Sequence, residues 1–239
     1  MTAERWTQAV RQQVGLGRLI ALGGPGDGAW ITEAAAGAVL RQAAAEVPGI
    51  RLGPLRIGLA DPEDVHAPVV PPPPGALPPG PLRLTADFAA SATEPLPTTA
   101  SRLRRALSTT ARERLGLTVT EVDLRVTDLL DEVPDREPVQ PPQPPQAREP
   151  TDPDATRVTT AALSVPGTTR LTAGLGGLGR AVHVEEHGDD TTLRRRHVRV
   201  EVAVSTTHRT LDVTRRIRTE VRESLPDHPT VTVLVTTVN

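Results

Sequence analysis

Two proline-dense stretches limit every fold this chain can adopt. Residues 68–81 hold eight prolines in fourteen positions, including Pro71 to Pro74, and residues 134–153 hold eight in twenty. Proline locks φ and has no amide N–H, so neither stretch can form a helix interior or a central strand. Both are expected as extended, polyproline-like spacers. The second lies near mid-chain and reads as an interdomain linker. The 239 residues suffice for one or two domains.

Outside the prolines, one order of periodicities occurs twice. In residues 30–47, Ile31, Ala35, Val39, Ala43 and Val47 follow helical spacing, with Thr32 a candidate cap and Pro48-Gly49 a stop. Leu55, Ile57 and Leu59 alternate as a strand, and Leu82, Leu84 and Ala86 as a second. Leu103, Leu107, Ala111 and Leu115 mark an amphipathic helix over 99–115, and Val122, Leu124 and Val126 a third strand. The second half gives a short helix over 156–165, strands over 180–186 and 197–204, a helix through Val213, Ile217, Val221 and Leu225, and a strand through Val231, Val233 and Val235. The helix pairs Leu103/Val213 and Leu107/Ile217 share an offset of 110, and the strand pairs Val122/Val231 and Leu124/Val233 an offset of 109. This is the pattern of an internal duplication.

The expected fold is therefore α/β (α+β). Two tandem small units each run helix-strand-strand-helix-strand, with a three-stranded sheet and helices on one face. They span 30–130, with 68–81 as a proline-rich insertion, and 156–239. A proline-rich linker at 131–155 separates them, and an N-terminal arm at 1–29 precedes them. In that arm Trp6, Ala9, Val10, Gln13 and Val14 share one helical stripe. Edge strands in each unit are expected to permit homo-oligomers, unless the neighbouring prolines block the pairing.

Composition narrows the chemistry. All 27 basic residues are Arg, against 29 acidic residues, for a net charge of -2, unlike the positive excess of a typical nucleic-acid binder. There is no Cys, which excludes disulfides, zinc–thiolate centres and cysteine nucleophiles. With no Tyr and only Phe88, Trp6 and Trp30, the chain lacks the aromatic platforms on which bases stack. No window approaches the 18 apolar residues of a membrane span, and the N-terminus lacks a signal-peptide pattern. A cytoplasmic location follows as the expectation, with attachment to the inner face of the membrane through a partner as a variant.

Candidate sites are few. Gly174, Gly176 and Gly179 fit GxGxxG, but a strand rather than a helix follows, so a flexible loop is expected. The loop Gly23-Gly24-Pro25-Gly26-Asp27-Gly28 lacks the Lys-Ser/Thr of a phosphate loop. His183, Glu185, Glu186, His187, Asp189 and Asp190 cluster, but along a strand and a hairpin tip, where polar residues are common. Ser205 and His208 have no third group to orient the His. No catalytic residue, cofactor or metal is expected. Arginines are the remaining feature. Arg102, Arg104, Arg105, Arg112 and Arg114 line the polar side of one helix, Arg215, Arg216, Arg218 and Arg222 that of the other, and Arg194, Arg195 and Arg196 precede a strand. The candidate interaction surface is Arg102, Arg105, Arg112, Arg194, Arg195, Arg196, Arg215, Arg218 and Arg222. Such faces are usually just solvated, yet they can also meet phosphates or an anionic surface.

The repeated features resemble the alkaline shock proteins linked to envelope stress in Gram-positive bacteria. The marks are Val47-Pro48-Gly49-Ile50 with the strand Leu115 to Val126, and Val165-Pro166-Gly167-Thr168 with the strand Pro229 to Val235. The doubled unit and the Arg-only composition resemble an actinobacterial, streptomycete-like variant. The resemblance implies a non-enzymatic cytoplasmic interaction or scaffold protein, with a protein partner that is membrane-associated in some members. A nucleic-acid-binding module using the Arg-rich helix faces is the alternative reading.

Overall fold

A computed structural model describes residues 16–132, 138–175, 179–187 and 195–239, apart from the side chains of His187 and Arg195. The N-terminal stripe from Trp6 to Val14 lies outside the described residues, as do Gly176, Asp189, Asp190 and Arg194.

Two sheets form, and they are unequal. The larger runs β1 (Leu19–Ala21), β2 (Ala29–Thr32), β9 (Thr230–Val238) and β8 (Arg195–Val204), with β6 (Thr168–Leu171) and β7 (Val182–His187) sharing the far side of β8. The smaller is β3 (Ile50–Leu59), β4 (Leu82–Ser91) and β5 (Val119–Leu130) in that order. The expectation of two matching three-stranded units is overturned: one sheet has six strands and the other three.

Of the three extra strands, β1 and β2 come from the segment expected to be an arm and the start of a helix, and β6 from the residues after the Val165-Pro166-Gly167 stop. The β1–β2 hairpin pairs antiparallel, and β2 then adds parallel to β9, with Ala29 opposite Val233 and Ile31 opposite Val235. Alternation could not reveal these strands because both their faces are buried. Ile20, Leu22 and Ile31 face the main core, while Leu19, Ala21 and Trp30 face a second cluster with Val70 and Leu234.

Helices lie where the periodicity put them, with shifted ends. Helix α1 (Glu33–Ala44) starts late because residues 29–32 are strand, and Thr32 Oγ1 caps it by accepting from Ala35 N at 3.2 Å. Helix α2 (Leu96–Thr110) continues as a π turn over Ala111–Leu115. Helix α3 (Pro153–Ser164) begins inside the expected linker: Asp152 accepts from Asp154 N and Ala155 N, and Pro153 takes the first turn, where no N–H is needed. Helix α4 (Thr210–Ser224) buries Val213, Ile217 and Val221. Helix α1 packs against both β9 and β3, so a single hydrophobic core runs through both halves of the chain.

The proline-rich stretches are not free spacers. The first lies over the second face of the large sheet: Trp30 Nε1 donates to Leu77 O at 3.3 Å, Leu77 N to Leu19 O at 2.8 Å, and Thr232 Oγ1 to Pro71 O at 3.4 Å. The second follows the β6 edge, with Ala147 N donating to Leu171 O, Ala173 N to Pro145 O and Arg148 N to Gly179 O. Prolines fit there because the contacts use their carbonyls and only the N–H groups of non-proline neighbours.

The halves also meet at Gly116, which closes the π turn at φ +86°. A Cβ there would stand 2.4 Å from Leu211 Cβ. Gly116→Ala should lower the unfolding free energy by about 1–3 kcal/mol, through the left-handed backbone and the clash together, read by urea denaturation. Val70→Asp should uncover Trp30. In a Trp6→Phe background, Trp30 emission should shift to the red, with a stability loss of about 1–3 kcal/mol for the buried apolar contact.

Candidate functional site

The arginine faces are largely consumed by the fold. Arg215 grips the Asp27 carboxylate with two bonds, Nε–Oδ1 at 2.7 Å and Nη2–Oδ2 at 3.2 Å. Arg218 is half-buried and donates to the carbonyls of Gly26 (2.8 Å), Asp27 (2.5 Å) and Val231 (3.0 Å). These two residues hold the glycine-rich 23–28 turn onto α4. Arg196 bridges Asp154 at 2.6 Å and Asp227 at 3.2 Å, tying α3 to the large sheet. Arg102 pairs with Glu94, and Arg112 with its neighbour Glu113 at 3.6 Å. Arg105 and Arg222 are exposed. Of the nine arginines proposed from the sequence, Arg194 and the side chain of Arg195 lie outside the described residues.

Asp27 is a residue that helical periodicity could not reveal. Burial works to raise its pKa, but the hydrogen bonds from Arg215 and Gly24 N and the charges of Arg215 and Arg218 outweigh it, and the pKa falls below the ordinary value. Burial lowers the Arg218 pKa, while the Asp27 charge opposes that shift.

The remaining candidates take structural places. Gly174 packs between Leu16 and Pro144, Gly179 has φ +74°, and β7 rather than a helix follows. Ser205 Oγ and His208 Nδ1 both reach Thr207 Oγ1, at 2.8 and 3.0 Å, within the turn before α4. His183 and Glu185 share one face of β7, opposite Arg199 and His197 of β8. Among the described residues, no three His, Asp or Glu converge as metal ligands would.

That face also holds Glu201, a fully buried carboxylate that the alternation alone would place in solvent. Its Oε2 accepts from Leu175 N at 2.9 Å, and its Oε1 lies 4.0 Å from His183 Nε2. Burial first, and then the Arg199 charge, push the His183 imidazole below its ordinary pKa. His183 is thus held toward the neutral form beside an acid.

A groove of about 1210 Å³ lies on the outer side of β7. One wall is α3, through Asp154, Ala155, Thr159 and Leu163, and the other is the proline-rich segment Gln146–Pro150. The floor is β6 and β7, with Arg180 at one end and Arg196 at the other. Two apolar side chains stand open in it, Leu163 at 46% and Val184 at 38% exposure. Glu201 N donates to Ala181 O, so Val182 and Val184 turn their main-chain groups away from β8 and toward the groove. Among the described residues no strand pairs that side of β7. Arg148 and Arg180 are exposed at its rim. The site therefore combines a stretch of strand edge at Val182 and Val184, an apolar anchor point and charged residues of both signs. Sequence reading missed it because its walls come from the segment taken as a linker.

No family model matches the chain, and no curated protein matches it. No helix among the described residues is long and apolar enough to cross a membrane.

The Asp27 clamp makes stability depend on pH with a defined sign. A carboxylate whose pKa is lowered by folding adds stability at pH values above its unfolded pKa, about 3.9, and loses it as pH falls through the folded value. Asp27→Asn should cost about 1–3 kcal/mol at neutral pH and should flatten the fall in melting temperature below about pH 4, measured by calorimetry.

Proposed function

We propose that this chain is a non-catalytic interaction protein that binds an extended segment of another protein along β7. The observation that carries this reading is the groove itself: outward main-chain groups of Val182 and Val184 beside the exposed side chains of Leu163 and Val184. An added strand would satisfy those main-chain groups, while a side chain of the segment would cover Leu163 and Val184. A cytoplasmic setting, a membrane-associated partner and a role in envelope stress rest on the resemblance at Val47-Pro48-Gly49 and Val165-Pro166-Gly167, and form part of the same proposal.

The test is a crosslinked pull-down of tagged full-length protein from its native cells, with soluble and membrane fractions analysed separately. A partner recovered in near-equal amount by the wild type should fall by about tenfold with Leu163→Asp plus Val184→Arg, because a central apolar anchor carries much of such binding. Unchanged recovery by the double variant would sink the groove reading. Recovery of nucleic acid with a steep salt dependence would transfer the function to the exposed arginines.

A further inference from the structure

The small sheet has its own open edge. Strand β5 is twelve residues long, pairs with β4 alone among the described residues, and is exposed along most of its length. The direction of its main chain follows from its neighbours. Leu82 N donates to Thr118 O, while Pro81 O accepts from Ala60 N on the β3 side. Even-numbered residues of β4 therefore bond β5, and the register Leu84–Val122 and Ala86–Leu124 turns the N–H and C=O groups of Val122, Leu124 and Val126 outward. The hydrogen bond from Arg104 Nε to Val122 O at 3.2 Å agrees.

We propose that this edge pairs with β5 of a second copy of the chain, antiparallel about a two-fold axis at Leu124. The pairing joins the two small sheets into one. It is independent of the β7 groove, which belongs to the other sheet.

Charge and apolar patterning select both the partner and the register. With the axis at Leu124, Asp123 of one copy faces Arg125 of the other, twice over, and Val122 faces Val126. Asp123 and Arg125 are 62% and 74% exposed, and each is already paired along its own sheet, Asp123 with Arg83 at 3.5 Å and Arg125 with Asp87 at 2.6 Å. The dimer would extend these into an unbroken alternating row, Asp87–Arg125–Asp123–Arg83. Moving the axis one residue either way breaks the row. At Asp123, that carboxylate meets its own copy; at Arg125, that guanidinium does, and like charges directly opposite one another are destabilising. On the helix-bearing face the same register places Leu124 against Leu124 and covers Val126, which is 38% exposed.

Arg104 does not oppose the pairing. A carbonyl oxygen has two lone pairs, so Val122 O can accept from Val126 N of the second copy while retaining Arg104. The two Arg104 contacts lie four residues apart along the strands, about 13 Å, beyond the screening length of about 8 Å at physiological salt.

The chain has no cysteine, so Leu124→Cys places a single thiol on the proposed axis. Hydrogen-bonded antiparallel pairs have Cα atoms about 5.5 Å apart, within disulfide reach. In Thr127→Cys the two thiols would lie six residues apart, roughly 20 Å. The full chain should sediment as a dimer at micromolar concentration. Under mild oxidation Leu124→Cys should crosslink at least about tenfold faster than Thr127→Cys. Arg125→Glu, which sets Glu opposite Asp123 on an exposed position, should raise the dimer dissociation constant about tenfold or more with an unchanged circular dichroism spectrum. A monomeric wild type, or a dimer whose two cysteine variants crosslink equally fast, overturns the proposal.

Discussion

The fold depends on strand β9, which is buried on both faces. Val231, Val233 and Val235 point into the main core, while Thr232, Leu234 and Thr236 point the other way and are also buried. A sheet built around such a strand needs a cover on each side. Helices α1 and α4 supply one. Among the described residues no helix covers the other, and the first proline-rich stretch does, with Val70 in the apolar cluster and Pro71 O on Thr232. An extended chain without internal hydrogen bonds suits this task. It offers carbonyls to threonine hydroxyls and to the Trp30 indole, and it asks for few N–H partners in return.

The same need explains the arginines. The β1–β2 hairpin reaches β9 only if its glycine-rich turn is fixed, and Arg215 and Arg218 fix it through Asp27 and the carbonyls of Gly26 and Asp27. A guanidinium suits that position because its donors form a rigid fork and keep their charge when half-buried. What looks like a basic face on the helical wheel is in part a set of clamps. Arg196 plays a comparable part between α3 and the loop before β9.

The two sheets end differently, and the difference has consequences. Around β6, the second proline-rich segment occupies the edge, so pairing there is already satisfied. The β7 edge beside it and the β5 edge of the small sheet remain open among the described residues. The β7 edge sits at the bottom of a walled groove, which favours a single inserted segment. The β5 edge is exposed and carries a self-complementary charge pattern, which favours a flat symmetric contact.

Local periodicity was enough to find the four helices among the described residues, the Thr32 cap and the long alternating strands β4, β5, β8 and β9, because side-chain direction in a helix or strand repeats over a few residues. It was not enough to count the strands in each sheet. The β1–β2 hairpin is short, apolar on both faces and pairs with a strand some 200 residues away. Nor could it find the groove, whose walls join the proline-rich segment to α3, β6 and β7. Glu201, Asp27 and the arginine clamps were hidden for the same reason. Their burial and their partners, such as Asp27 with Arg215 at a separation of 188 residues, come into being only when distant segments pack. Pattern along the chain reports which face of an element is apolar, while packing alone settles what covers that face.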